Sequence, residues 1–284
     1  MRPGARTTAF TAAALIGFAA NSLLCRGALG RGQADAATFT TIRLLSGALA
    51  LWILAGRAPR AILAAGRWSS AAALFAYAAA FSFAYVRIGA AVGALLAFGA
   101  VQTTMIAWAL RTGERPGAAE WGGIALAAGG VVVLVSGGLR APDPIGAALM
   151  LTAGVAWGVY SLIGRSSVRP LETTAGNFAR ALPFTIALSL IAPGAPHVTR
   201  PGVVLAVTSG AIASGIGYSL WYGALPGLTA TRAAAVQLCV PVLTALGAVL
   251  LLGEAVTARL VVSAAAILGG VALAIGGRRA AAGR

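Results

Sequence analysis

The 284-residue chain is 59% hydrophobic and 10% charged, and its mean hydropathy is +0.89. Soluble domains carry about 25% charged residues, so this composition excludes an ordinary soluble protein and indicates contact with lipid along most of the chain. The net charge of +15 would favour a nucleic-acid partner in a soluble protein. In so apolar a chain it indicates arginines at the ends of membrane spans, and no nucleic-acid partner is expected.

Ten apolar segments of about 20 residues follow one another, and each has the length of a helix that crosses the hydrocarbon core. They lack the two-residue alternation of barrel strands, so the sequence predicts an all-α integral membrane fold with ten transmembrane helices. Pro- and Gly-rich turns separate the segments, and no connection is long enough to fold alone. The predicted spans lie near Thr7–Leu24, Ala36–Ala55, Ser69–Val86, Gly89–Leu110, Ala118–Ser136, Pro144–Gly164, Leu171–Ile191, Gly202–Gly223, Thr229–Leu252 and Ala255–Gly276.

Residues in the two halves of the chain match at a nearly constant spacing. Glu114 and Glu254 are 140 residues apart, and a Gly-Gly pair lies 15 residues beyond each of them. Such duplication predicts one membrane domain built from two repeats of five helices, residues 7–138 and 144–277. Because five is odd, the second repeat is inverted relative to the first. The pairs at a spacing of 137 are Asp35 with Glu172, Arg43 with Arg180, and Tyr85 with Tyr222.

The distribution of arginine predicts the topology. With a cytoplasmic N-terminus, 12 of the 21 arginines fall on the inner side and 6 on the outer side, and Arg43, Arg180 and Arg232 lie inside spans. Basic residues favour the cytoplasmic side, so both termini are expected in the cytoplasm and the protein in the inner (plasma) membrane. The first span follows Arg2 and Arg6 and could instead be a signal peptide, but its match to the sixth span predicts that it is retained.

Several motifs resemble those of the EamA family of the drug/metabolite transporter superfamily, and the resemblance covers nearly the whole chain. The departures are Phe18-Ala19, where the family often has Trp-Gly, and Val101 at the position that matches Pro241. The resemblance implies ten helices in two inverted repeats, a central cavity lined mainly by the first four helices of each repeat, and export of small metabolites such as amino acids. The motifs are Gly113-Glu114 with Gly129-Gly130, Leu252–Glu254 with Gly269-Gly270, Trp157-Gly158, Pro241–Leu246, and Arg43 and Arg180 early in their spans.

Arg43 and Arg180 are the first candidates for substrate contact. An arginine inside a span costs about 3 kcal/mol on insertion scales, so it should face protein or a water-filled cavity. Its planar fork of donors suits a substrate carboxylate. The alternative is a structural role, in which each side chain snorkels to the interface or binds neighbouring carbonyls.

Further candidates lie on helices that the resemblance assigns to the cavity. Amides could bind a polar solute or join helices, aromatic rings could line the cavity or anchor spans at the interface, and prolines could act as hinges or have no function. The polar candidates are Asn21, Gln102 and Gln237, the aromatic ones are Tyr85, Trp157, Tyr160, Tyr218, Trp221 and Tyr222, and the hinge candidates are Pro183 and Pro241.

The positions of the titratable residues limit the classes of function that fit this chain. No Asp or Glu lies at mid-membrane depth, the single His197 lies in a Pro-rich loop, and Cys25 and Cys239 lack metal-ligand spacing. We therefore expect no metal, no cofactor and no catalytic site, and structural roles for Glu114 and Glu254. The inverted repeats predict a secondary transporter that works by alternating access, and the resemblance implies that it exports amino acids or similar small metabolites. The alternatives are a cationic-drug efflux carrier, a non-transporting membrane scaffold and an intramembrane enzyme.

Overall fold

The computed structural model describes residues 3–113, 117–135, 142–192, 194–237 and 239–282, and the regular structure in these ranges is helical. A π-helical segment, Ser209–Ile216, joins α9 to α10, and a short 3₁₀ turn follows α10. The helices are α1 (Pro3–Leu29), α2 (Ala36–Ala55), α3 (Pro59–Ala65), α4 (Trp68–Arg87), α5 (Ala90–Arg111), α6 (Ala118–Val135), α7 (Pro144–Gly164), α8 (Pro170–Ile191), α9 (Arg200–Thr208), α10 (Gly217–Ala224), α11 (Ala230–Val236), α12 (Cys239–Leu252) and α13 (Ala258–Ala282).

Seven helical stretches in the described ranges are long and apolar enough to cross a membrane, which supports a multi-pass membrane protein. They coincide with seven of the ten predicted spans, and α6, α8 and α13 coincide with the other three. The polar side chains of Asn177 and Arg180 lower the hydropathy of α8. The all-helical membrane class is thus confirmed, whereas ten spans in two repeats stays a prediction. The seven stretches are Gly4–Leu29, Ala36–Ala55, Trp68–Arg87, Ala90–Arg111, Pro144–Gly164, Arg200–Gly227 and Arg232–Leu252.

The helices run back and forth, so their connections gather at two ends of the bundle. Asp35, just before α2, accepts a hydrogen bond from the main chain of His197, which lies between α8 and α9. We call this the distal end. Gly227, after α10, lies against Thr7 near the start of α1, and we call this the N-terminal end.

α6 and α13 pack mainly against each other. Gly130 near the end of α6 contacts Ile267 in the first half of α13, and Gly122 near the start of α6 faces Leu273 further along α13, so the two helices are antiparallel. Gly130 and Gly270 lie in this interface, where the missing side chains let the backbones approach closely. Because α6 begins at the N-terminal end, α13 ends there, and the first and last described helices share one end of the bundle.

The short helix α3 was not predicted from the sequence. It begins at Pro59, whose ring is well suited to the first turn of a helix. The turn that follows packs on the second turn of α8, because Gly66 and Gly176 let the two backbones meet without side chains between them. The main-chain N–H of Arg67 donates to Asn177 Oδ1 at 2.9 Å. The connection from α2 to α4 is therefore fixed against α8.

Candidate site at Arg43

Arg43 of α2 is completely buried between helices from both halves of the chain. Its Nε donates to Ser214 Oγ at 3.1 Å, and its Nη2 donates to the hydroxyl of Tyr218 at 2.7 Å and to that of Tyr77 at 3.3 Å. Its Nη1 lies 3.9 Å from the Sγ of Cys25. The guanidinium is therefore held by side chains of four segments, which are α1, α4, the π-helical segment and α10.

The neighbours of Arg43 bond to one another as well. Asn21 Nδ2 donates to the Tyr77 hydroxyl at 3.1 Å, and Asn21 Oδ1 accepts from Ser209 at 2.6 Å and from Ser214 at 3.3 Å. The Tyr218 hydroxyl lies 3.1 Å from that of Tyr77. We call this group the Arg43 cluster: Asn21, Cys25, Arg43, Tyr77, Ser209, Ser214 and Tyr218.

The π-helical segment explains how two serines reach Asn21. Hydrogen bonds in a π-helix join residues five apart, so Ser209 and Ser214 lie on one face. Gly210 brings this segment against the backbone of α2, because a side chain there would overlap the carbonyl of Arg43. Single π-helical turns occur frequently at functional sites. The segment thus places hydroxyl groups next to a buried guanidinium.

Within the described residues, Arg43 has neutral partners only. The described residues form ion pairs at the ends of the bundle, and none of these pairs includes Arg43. Its guanidinium also lies 5.2 Å from the ring centre of Tyr77 and 5.5 Å from that of Phe81. Burial of an ion costs several kcal/mol even after relaxation, and hydroxyl groups and rings offset this cost less well than an opposite charge does. The arrangement is therefore suited to receive an anion.

Aromatic rings cover the Arg43 cluster. Phe18 makes edge-to-face contacts with Trp157, Tyr218 and Trp221, with ring centres 5.1 to 5.7 Å apart. The ring centres of Trp157 and Tyr218 are 4.5 Å apart. Together these rings form an apolar wall beside the guanidinium, which is the combination expected for binding a small molecule with one charged and one apolar end.

Gln237 lies on the far side of that wall. Its Oε1 accepts a 2.7 Å hydrogen bond from the indole N–H of Trp157, and its Nε2 donates to the carbonyl of Ala233 at 3.0 Å. Gln102 donates at 2.6 Å to the carbonyl of Ala234, so both amides hold the end of α11. Both glutamine side chains form hydrogen bonds to other residues of the protein, which fits the alternative that these amides join helices. Gln237 also orients the ring of Trp157.

The space at this site is closed. A cavity of about 10 Å³ lies beside Phe18, Tyr77 and Trp157, which is room for about one water molecule. The central cavity that the resemblance implies is therefore not open at this site. The physical reason is that the rings of Phe18, Trp157 and Tyr218 pack directly against one another. A small molecule could reach Arg43 from this side only if these rings moved.

Comparison with known proteins identifies the family. Residues 144–276 match the EamA-like transporter family. The chain belongs to this family. A Pseudomonas aeruginosa protein described as uncharacterized is 50% identical over 99% of both chains. A Salmonella typhimurium protein named "Probable amino-acid metabolite efflux pump" is 29% identical over 70% of this chain and 73% of its own. A protein crystal structure with 24% identity shares the fold, with a TM-score of 0.68 over 93% of this chain and 98% of that chain.

The two matched arginines of this EamA-family protein lie in different environments. Arg43 lies in the buried cluster, whereas Arg180 is partly exposed, donates to the carbonyl of Leu63 in α3, and lies 5.6 Å from the ring centre of Trp68. These contacts fit the alternative role for Arg180, in which its side chain binds a neighbouring carbonyl and stabilises the fold. The structure therefore brings Asn21, Arg43 and Trp157 together and does not bring Arg180 to them.

The remaining aromatic candidates extend from the Arg43 cluster towards both ends. Tyr85 contacts Phe81, with ring centres 4.6 Å apart, and its carbonyl accepts from Arg26 near the distal end. Tyr160 and Tyr222 stack at 4.9 Å on the side of the N-terminal end. In this EamA-family chain, they lie beside the cluster without contacting Arg43.

The candidate prolines and Glu254 lie outside the Arg43 cluster. Pro183 lies within α8, and Pro241 is in the first turn of α12, so a hinge role for either one stays a prediction. Glu254 accepts from the N–H groups of Ala90 and Ala91 and lies 3.7 Å from Arg26, which is the structural role expected for it. Its match, Glu114, lies outside the described residues.

Sequence reasoning missed Tyr77 and the joint role of Cys25, Ser209 and Ser214. Tyr77 is the only tyrosine in the alanine-rich first part of α4, and that isolation is a signal that could have found it. Ser209 and Ser214 each precede a glycine, a pattern that suggests the nucleophile of an intramembrane enzyme. His197 contacts Asp35 at the distal end, and both serines bond to Asn21 instead.

Proposed function

We propose that this EamA-family protein is a secondary transporter that exports amino acids or similar carboxylate-bearing metabolites by alternating access. The observation that carries the proposal is the buried guanidinium of Arg43, which lies between the two halves and has neutral partners only among the described residues. A substrate carboxylate would supply the missing opposite charge and two acceptor oxygens. The relative named an amino-acid metabolite efflux pump supports the substrate class.

The apolar wall accounts for the rest of the substrate. Phe18, Trp157 and Tyr218 would surround an apolar or aromatic side chain once the rings separate. The fixed positive charge of Arg43 disfavours a cationic substrate, because like charges repel strongly in a low-dielectric interior. This argues against a carrier for cationic drugs.

We further propose ten transmembrane helices in two inverted repeats, placed in the inner membrane with both termini in the cytoplasm. The shared end of α1 and α13 supports this topology, as does the excess of arginines expected on the cytoplasmic side. Reporter fusions at both ends of the chain test it. A reporter that is active outside the cytoplasm at either terminus would contradict it.

Release of substrate from liposomes tests the transport function. Vesicles that contain the purified protein are loaded with single amino acids or with the matching amines, which lack the carboxylate. We expect protein-dependent release of at least one group of amino acids and no protein-dependent release of the matching amines. Release at the rate of protein-free vesicles for a broad panel of amino acids would contradict the proposed function.

A further inference from the structure

A second cavity opens at the N-terminal end of the bundle, where it has a volume of about 290 Å³. It lies between the end of α3, the start of α4 and the connection from α7 to α8. We call this cavity the vestibule. Its polar lining residues are Arg67, Ser70, Ser166, Ser167, Arg169 and Thr173.

The vestibule carries positive charge. Arg169 lies 3.7 Å from Glu172, which also lies 3.5 Å from Arg57, so the charge of Arg169 is partly compensated. Within the described residues, Arg67 makes no ion pair, and its main chain is held by Asn177. A concave surface that carries uncompensated charge of one sign raises the local concentration of small ions of the opposite sign. The vestibule therefore favours anions, and its hydroxyl groups supply further donors.

A column of tyrosine rings connects the vestibule to Arg43. The ring of Tyr222 lines the vestibule and stacks on Tyr160, with ring centres 4.9 Å apart and an interplanar angle of 29°. The ring of Tyr160 lies 6.4 Å from that of Tyr218, whose hydroxyl accepts from Arg43. The hydroxyl of Tyr222 donates to the carbonyl of Tyr160 at 3.0 Å and fixes the pair. Two stacked rings thus separate the vestibule from the cluster.

We propose that the vestibule is a loading site for small carboxylate-bearing anions, and that the pair Tyr222–Tyr160 is the barrier between this site and Arg43. The identity of the natural ligand as a carboxylate rests on the proposed function. The attraction of anions rests on the charge of Arg67, and the position of the barrier rests on the stacked rings of Tyr222 and Tyr160.

Labelling of a single cysteine tests the anion preference without any transported substrate. In a Cys25→Ser, Cys239→Ser background, Ser166→Cys places a thiol in the exposed lining of the vestibule. Its rates of reaction are measured with the anionic 2-sulfonatoethyl and the cationic 2-(trimethylammonio)ethyl methanethiosulfonate. We expect the added Arg67→Gln to lower the ratio of the anionic to the cationic rate at least about threefold, because the two rates change in opposite directions.

The matched control is Arg60→Gln, which removes an exposed charge of α3 that does not line the vestibule. We expect this control to leave the ratio nearly unchanged. Equal ratios with and without Arg67 would overturn the loading site. High salt should reduce the effect of Arg67 as well, since exposed charges are screened within about 10 Å at 0.1 M salt.

The native thiol of Cys25 reports on the barrier, because it lies 3.9 Å from Arg43 Nη1. In a Cys239→Ser protein, we expect Tyr222→Ala to raise the rate at which the anionic reagent modifies Cys25 at least about tenfold. Tyr222→Phe keeps the ring and should react like the parent. Tyr222→Leu also removes the aromatic ring, and it replaces Tyr222→Ala as the variant that opens the barrier if Tyr222→Ala lowers the Tm strongly. Unchanged rates in folded opening variants would overturn the barrier. Liposomes without amino-acid release would contradict the proposed function and leave the vestibule and its barrier standing, because both labelling tests use no transported substrate.

Discussion

The guanidinium of Arg43 and the hydroxyl of Tyr218 are joined by a 2.7 Å hydrogen bond that links α2 in the first half to α10 in the second. The bond lies in a fully buried cluster, so it is formed and broken away from bulk water. A carboxylate that binds Arg43 would compete with Tyr218 for the same donor. Binding of such a substrate would therefore weaken a direct contact between the halves, which is one way to couple binding to their movement.

Replacement of Arg180 by glutamine should lower stability and preserve transport. The variant loses a hydrogen bond to the carbonyl of Leu63 and the contact with the ring of Trp68, which together contribute about 1–2 kcal/mol. Thermal unfolding in detergent and amino-acid release from liposomes measure the two effects. Arg180→Gln protein that folds at the parental Tm but fails to transport would show that Arg180 belongs to the substrate site.

Close helix packing at Gly154 should not tolerate a methyl group. A side chain there would overlap the carbonyl of Ala97 in α5, so Gly154→Ala should cost about 2 kcal/mol or more of folding free energy. The control is Gly129→Ala in α6, where no atom lies within 4 Å of the added methyl group. The control should be neutral or up to about 1 kcal/mol more stable. Equal melting temperatures of the two variants would contradict the packing of α5 on α7.

Loss of the charge of Glu254 should lower the stability of the fold, because this side chain joins segments at the distal end. The carboxylate binds the first N–H groups of α5 and lies beside Arg26, so Glu254→Gln should cost about 1 kcal/mol. Arg87→Gln is the control at the same end, because its pair with Asp143 is more exposed and should contribute less than about 0.5 kcal/mol. The difference in Tm between these two variants measures the effect. A larger loss for Arg87→Gln would contradict it.

Asp35 should make stability depend on pH in the acidic range. Burial alone would raise its pKa, but N–H donors from His197 and Thr38 lower the pKa below its usual value. A lowered pKa stabilises the fold above the unfolded pKa of about 3.9, and this contribution is lost as pH falls through the lower folded pKa. The Tm difference between the parent and Asp35→Asn should be constant above about pH 5 and shrink below about pH 4. A difference that grows on acidification would contradict this assignment.

The sequence predicted the helices because their apolar runs and turn residues are local signals. The predicted span at Ala36–Ala55 is the observed helix α2, capped by Asp35 and ended by Gly56 in the left-handed conformation. Helix α3 was missed because its seven residues are too few to give an apolar signal of their own. Its position depends on the contact of Gly66 with Gly176, which are far apart in the chain.

The candidate site was predicted in part. Arg43, Asn21 and Trp157 were found because polar and large aromatic side chains are rare inside apolar spans. The matched spacing of Arg43 and Arg180 suggested equal roles, but their surroundings are set by packing, which differs between the halves. The contacts of Tyr77 and the two serines depend on the π-helical turn, which has no distinct sequence pattern.

The central claim is that Arg43 recognises the carboxylate of the substrate. The most direct measurement compares the binding of a transported amino acid and of its carboxamide to the parent and to Arg43→Gln by calorimetry in detergent. We expect the parent to bind the amino acid at least about tenfold more tightly, as for hydrogen bonds between charged groups, and Arg43→Gln to bind both equally. The Tm of the variant should not fall, because Tyr77, Ser214 and Tyr218 retain hydrogen bonds to one another. A folded Arg43→Gln protein that keeps the tenfold preference would contradict the claim.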